Sequence, residues 1–158
     1  MRAIRVALAG AVVAVCAVAF SPSAGAEGVT YSGYFKTPSG SVYCDYLYGS
    51  HILAEYRYVR CGFAGKLVPQ EPKPPAGCPR GTDYVGNRMI LTLRGRAKTQ
   101  PCAGDAGPFG DRKAAVAIPY KHTWHGGPFS CESSRHGMTC QSADGHGFRL
   151  ARHGWHVF

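Results

Sequence analysis

Six of the seven histidines fall within residues 122–156, and four of them form two spaced pairs, His122-Thr-Trp-His125 and His153-Gly-Trp-His156. Neutral imidazoles are good ligands for zinc, so His122, His125, His153 and His156 are the candidate metal ligands. Their spacing works against them, because residues three apart on a strand face opposite sides of a sheet and each pair would have to occupy a turn to chelate one ion. His146 invites a different chemistry. With Asp144, Ser133, Ser134 and Ser142 close in sequence it offers the residue types of an acyl-transfer site, yet no Gly-x-Ser-x-Gly elbow is present to hold up a nucleophile. Asp105 and Asp111 lack the dense alternating acids of a calcium loop. No catalytic residue, metal or cofactor is therefore assigned. His146, Arg149, Arg152 and Trp124 are read as candidate ligand-facing residues of a binding protein.

The elements that must position these side chains are clearest between Pro128 and Arg152. Phe129 and Cys131 alternate with Ser130 and Glu132, and Met138 and Cys140 with Thr139 and Gln141, the period-2 pattern of half-buried strands. Ser134-Arg135-His136-Gly137 reads as the hairpin loop between them, a register that sets Cys131 opposite Cys140. Asp144-Gly145-His146-Gly147 is the next turn, and Phe148 and Leu150 mark a third strand. An imidazole at 146 is expected to donate a ring N–H to a neighbouring carbonyl and lock that turn.

Residues 1–26 read as a secretory signal: two arginines, an uncharged apolar run from Val6 to Phe20, and Ala24-Gly25-Ala26 as the cleavage site. Cys16 leaves with it. The remaining six cysteines, Cys44, Cys61, Cys78, Cys102, Cys131 and Cys140, are too widely spaced for a zinc motif and read as a disulfide framework with fifteen possible connectivities. Sequential pairing is preferred, since Cys44/Cys61 and Cys131/Cys140 each flank a candidate hairpin. Residues 27–158 are expected to form one secreted β-rich domain whose core is modest enough for staples to matter. The ten-residue ring closed by Cys131–Cys140 should contribute about 2.5–3 kcal/mol through chain entropy.

Val29–Phe35 is aromatic and β-branched, Thr37-Pro38-Ser39-Gly40 suits a type I turn, and Val42, Cys44, Tyr46 and Tyr48 share one face of a strand. Tyr43, Tyr46 and Tyr48 are expected to cap the core edge. Val59, Cys61 and Phe63 form another strand, as do Met89, Leu91 and Leu93, while Lys113–Tyr120 is a short apolar segment also assigned to strand. The five prolines between Gly65 and Gly81 describe a stiff surface loop. Gly40-Ser-Val-Tyr-Cys44 echoes Gly127-Pro-Phe-Ser-Cys131, which suggests two stapled hairpins packed face to face. No amphipathic helical period is sustained, so the expected class is all-β: a small disulfide-stapled sandwich or partly open barrel of short antiparallel strands.

Phe35–Cys44, Arg60-Cys61, Tyr120 with Trp124, Gly127–Cys131, Gly137–Cys140 and Gly145–Arg152 together resemble a family of small secreted actinobacterial proteins known only as a domain of unknown function. The resemblance implies an envelope or extracellular setting and no activity. Ser41 stands where that family commonly has Asn, and Ala151 where it commonly has Ser.

Without the two signal arginines, sixteen Lys/Arg face nine Asp/Glu, about +7 at neutral pH. Outside a cell that charge favours an anionic wall polymer, an acidic glycan or a lipid headgroup. No nucleic-acid recognition signature and no membrane-spanning run is present in residues 27–158, and a monomer is expected. A non-catalytic envelope module is the leading reading; a His-rich metal binder, a small hydrolase and a secreted inhibitor are the alternatives.

Overall fold

The computed structural model describes residues 29–65, 67 and 73–158. The expected signal segment 1–26 with Cys16, and Pro69 and Pro72 of the proline-rich stretch, lie outside the described residues. In chain order the strands are β1 (Thr30–Lys36), β2 (Val42–Gly49), β3 (Tyr58–Phe63), β4 (Asp83–Tyr84) and β5 (Arg88–Thr92). The short β6 (Lys98–Thr99), β7 (Cys102–Ala103) and β8 (Val116–Ala117) follow. The chain ends in β9 (Thr123–Gly126), β10 (Phe129–Ser134), β11 (Gly137–Ser142), β12 (Gly147–Ala151) and β13 (Gly154–Val157). One sheet runs β6-β5-β3-β2-β1-β8, the second is a meander β13-β12-β11-β10-β9, and β4 pairs with β7 as a small separate ribbon.

Alternation decides how the two main sheets meet. Phe35, Val42, Cys44, Val59, Cys61, Met89 and Leu91 from the first bury against Phe129, Cys131, Met138, Cys140, Phe148 and Leu150 from the second, in one shared core. This is an open sandwich, and the outward positions of both sheets are largely polar. All three disulfides pair sequentially: Cys44–Cys61, Cys78–Cys102 and Cys131–Cys140. Two of them join directly opposed residues of neighbouring strands, Cys44 with Cys61 and Cys131 with Cys140. These two staples meet across the core, where Cys61 Sγ lies 3.8 Å from Cys140 Sγ. The two stapled hairpins thus pack face to face.

Several local expectations need adjustment. Ser134 pairs with Gly137, so the loop between β10 and β11 is only Arg135-His136. Of Lys113–Tyr120 only Val116–Ala117 is strand, and it runs parallel to β1, Val116 opposite Phe35 and Ala117 opposite Lys36. Leu93 lies just beyond β5, and residues 54–56 form a single 3-10 turn. Tyr46 and Tyr48 do line the core edge, where Tyr31 stacks on Tyr48 at 5.0 Å, Tyr48 on Tyr46 at 5.7 Å, and Tyr46 meets the tilted ring of Trp124 at 4.7 Å. Tyr43 points to the opposite face, where it meets Phe109 at 5.8 Å.

A second buried layer covers that opposite face. Asp45 on β2 faces Arg60 on β3, and the guanidinium clasps the carboxylate with Nε to Oδ1 at 3.0 Å and Nη2 to Oδ2 at 2.7 Å. Arg60 Nη1 also donates to Asp105 at 3.1 Å, and Arg88 donates to the Asp105 and Ala106 carbonyls at 3.0 Å each. The loop carrying Asp105, Pro108 and Phe109 is thereby folded down onto the sheet. Gly62 is required beneath it, because a Cβ there would lie 2.6 Å from the Phe109 ring.

Candidate functional site

At one end of the sandwich four connections converge: the β1–β2 turn, the chain leaving β3 at Ala64 and Gly65, the β10–β11 loop and the β12–β13 loop. Between them is a cleft of about 870 Å³, a size typical of ligand sites. Its walls carry Arg135, Arg149 and Arg152 together with His136 and His153, and among the described residues no carboxylate lines it. Ser39 and Ser41 face them from the other sheet, and Phe63, Ala64 and Ala151 contribute the apolar part.

Each wall has a local cause. In the β1–β2 turn the Gly40 N–H donates to the Thr37 carbonyl at 2.9 Å, with Gly40 at φ 65°. Thr37 is fully buried, and its Oγ1 accepts from the Val42 N–H at 3.1 Å. The Ser39 and Ser41 hydroxyls bond each other at 2.8 Å, and the Ala64 N–H donates to the Ser41 carbonyl at 2.8 Å, joining this turn to the end of β3.

The opposite walls are two copies of one device. Ser134-Arg135-His136-Gly137 and Ala151-Arg152-His153-Gly154 are both strand-Arg-His-Gly sequences. In each the flanking residues pair, Ser134 with Gly137 and Ala151 with Gly154, so that Arg and His form a two-residue tip. The glycines share a backbone conformation that side chains avoid, φ 131° at Gly137 and 144° at Gly154. A Cβ on Gly137 would also lie 2.1 Å from the Leu150 carbonyl oxygen, so its absence lets β11 and β12 approach. Two adjacent hairpins of one sheet place their tips roughly 10 Å apart, twice the interstrand spacing.

The electrostatics are one-sided. Arg135, Arg149 and Arg152 are exposed, and the ion pairs among the described residues involve Arg60 and Arg88 with Asp45 and Asp105. The cleft arginines have no carboxylate partner among the described residues; Arg135 lies over the Tyr120 ring at 5.6 Å. Guanidinium forks left free in this way suit bidentate binding of carboxylate or phosphate. Arg60 and Arg88 behave differently. Burial by itself lowers the affinity of Arg60 for its proton, but the hydrogen bonds and charge of Asp45 more than reverse this and raise its pKa. At Arg88, burial and the neighbouring Arg60 charge lower it. Burial, followed by the Asp45 charge, pushes the Tyr58 phenol up to about 12. This inner network is structural in its contacts and lies outside the cleft.

Of the four candidate ligand-facing residues, the structure brings Arg149 and Arg152 into the cleft. His146 sits in the β11–β12 turn, at the other end of the meander. Trp124 is in the core-edge stack, 4.6 Å from Phe35. The turn at His146 is locked by backbone and by neighbours: the Ser142 N–H and Oγ donate to the His146 carbonyl at 2.9 and 3.0 Å, and Ser142 Oγ also donates to Asp144. Among the described residues the imidazole itself makes no hydrogen bond, so the expected ring lock is replaced by a serine lock. Ser134 Oγ donates to the Gly137 carbonyl and Ser133 Oγ is buried without a partner; none of these hydroxyls is brought to the His146 ring.

The two histidine pairs lie apart from each other. His125 is on β9 and His156 on β13, the two opposite edges of the five-stranded sheet. Among the described residues the one grouping of three potential ligand atoms is Cys44, Cys61 and Cys140, all of them tied up in disulfides. His153 does reach the cleft, as the second residue of a tip. Sequence reasoning missed Arg135 and His136, although the signal was present in the repeated Arg-His-Gly of 135–137 and 152–154.

The match to known families covers residues 11–158. The chain belongs to DUF6636, a family of unknown function. No curated protein and no solved structure gives a significant match. Three disulfides are the mark of a DUF6636 member that matures outside the reducing cytoplasm. Among its described residues no helix is long and apolar enough to cross a membrane.

Proposed function

We propose that this DUF6636 protein is a secreted, non-catalytic module of the cell envelope that binds anionic envelope components in the cleft at the Arg-His tips. The observation that carries this reading is the convergence of Arg135, Arg149 and Arg152 on one cavity with no carboxylate in its lining among the described residues. An exposed arginine ordinarily has solvent on all sides; three around a concave surface focus their potential onto whatever enters. The hydroxyls of Ser39 and Ser41 supply neutral hydrogen-bonding partners for the rest of a ligand, and the net positive charge of residues 27–158 draws polyanions toward it.

The test is binding of the disulfide-intact protein to an anionic wall fraction as ionic strength rises through the range where the Debye length falls from about 30 to 10 Å. Affinity should drop steeply with salt. Arg149→Ala with Arg152→Ala should abolish binding while leaving the melting temperature unchanged, because both side chains are exposed. Salt-insensitive binding, or full binding by the double variant, would place the ligand elsewhere.

A further inference from the structure

The duplicated tips say more about the ligand than its sign of charge. The cleft does not end at the β12–β13 loop. A second recess of about 340 Å³ continues past it and shares Arg149, Ala151 and His153 with the first, then reaches Trp155 and His156. The result is a groove crossing the ends of two adjacent hairpins, with cationic side chains recurring along it. Arg135 and His136 stand at one tip, Arg152 and His153 at the next, and Arg149 lies between the two recesses. A single small anion would occupy one tip and leave the other without a purpose in binding.

A lipid headgroup presented by a bilayer is also a poor match. Docking to a membrane surface needs apolar side chains that can enter the interface beside the cations. Among the described residues the exposed large apolar side chains, Val29, Tyr31, Leu53, Tyr56, Val116 and Phe158, line neither recess. The groove offers hydroxyls at Ser39 and Ser41 instead. An anionic group roughly every 10 Å, the separation of the tips, matches a polysaccharide that is charged on alternate sugars. Hydroxyl-rich units between the charges would meet the serines.

Resting on the anion-binding reading above, the geometry points to a linear acidic polysaccharide as the ligand, with successive anionic groups held by the Arg135-His136 and Arg152-His153 tips. The two tips act as linked weak sites. A chain long enough to reach both gains affinity through effective concentration, and a shorter one does not.

Hyaluronan oligosaccharides, which carry one carboxylate on every second sugar, supply the probe, with inorganic phosphate and vesicles of phosphatidylglycerol and phosphatidylcholine as the other arms. Titration calorimetry at low salt on the disulfide-intact protein should show affinity rising on the order of ten- to a hundredfold once the chain spans both tips. Arg135→Ala/His136→Ala and Arg152→Ala/His153→Ala should each remove that rise and leave short and long chains binding alike. Arg135→Lys should retain part of it. Near-UV circular dichroism confirms the fold of each variant. Anion binding that depends on Arg149 but not on chain length would overturn the polysaccharide inference and leave the anion-binding cleft standing. Binding to vesicles alone would overturn it in favour of a headgroup. Failure of every anion to bind would remove both.

Discussion

Asp144 is an exposed carboxylate whose pKa is nonetheless held below the ordinary range, chiefly because Ser142 Oγ donates to it, with a further contribution from the His146 backbone N–H. A depressed carboxylate pKa favours the folded state above the unfolded value, about 3.9 for Asp, and that contribution is lost as pH falls through the lower folded value. Ser142→Ala should therefore move the Asp144 titration up toward the ordinary carboxylate range in an NMR pH series, and lower the melting temperature at neutral pH. His146→Ala should change stability by less than about 0.5 kcal/mol, the scale of a surface substitution without a specific partner. A large loss at His146 together with an unmoved Asp144 titration would restore the imidazole as the lock. Sequence showed that residues 144–147 form a turn, because two glycines flank His146. It did not show which polar group closes it, since Ser142, Asp144 and His146 all had the chemistry to do so.

At the scale of elements, the loop from Cys102 to Lys113 is the segment whose position depends most on charge. Arg60 joins β2, β3 and this loop through Asp45 and Asp105, and both Arg60 and Asp45 are buried. Removing one member of such a pair leaves an uncompensated buried charge, which costs about 3–5 kcal/mol, whereas replacing both with apolar groups is near neutral. Urea unfolding of Arg60→Ala should show that loss, and Arg60→Met combined with Asp45→Leu should recover most of it. Equal losses in the single and double variants would mean that the loop is held by the packing of Pro108 and Phe109 on Gly62 alone. No sequence pattern announced this network. Asp45 and Arg60 are fifteen residues apart and become neighbours only through the β2–β3 register. The strands that lie in register were readable from alternation, but the pairs that face each other on their outer side were not.

At the scale of the molecule, the two main sheets are joined through their staples. Cys61 Sγ and Cys140 Sγ are 3.8 Å apart in a dry core, so a free thiol at Cys61 would lie beside an intact disulfide. In Cys44→Ala, the Cys61 thiolate can attack Cys140 Sγ, forming Cys61–Cys140 and releasing Cys131 as the thiolate, with no external oxidant required. Non-reducing peptide mapping after incubation above the ordinary thiol pKa of about 8.5 should recover both Cys131–Cys140 and Cys61–Cys140. Recovery of Cys131–Cys140 alone would show that the sheets hold these sulfurs apart in solution.

The sequence by itself determined the all-β class and the register of the β10–β11 hairpin, because each is decided by residues near one another in the chain: alternation and turn glycines. It favoured sequential disulfides among fifteen connectivities, and the structure decided for them. Arg149 and Arg152 were visible as exposed cations at the end of a strand. The tertiary structure decided which cations share a cavity. His122-Thr-Trp-His125 and His153-Gly-Trp-His156 looked equivalent in sequence, yet a five-stranded meander puts β9 and β13 at opposite edges. Arg135 and Arg152 looked unrelated, yet the same meander brings every second turn to the same end. Which turns lie together depends on the number of strands between them and on how the second sheet closes over the core, and neither quantity is written in any local stretch of the chain.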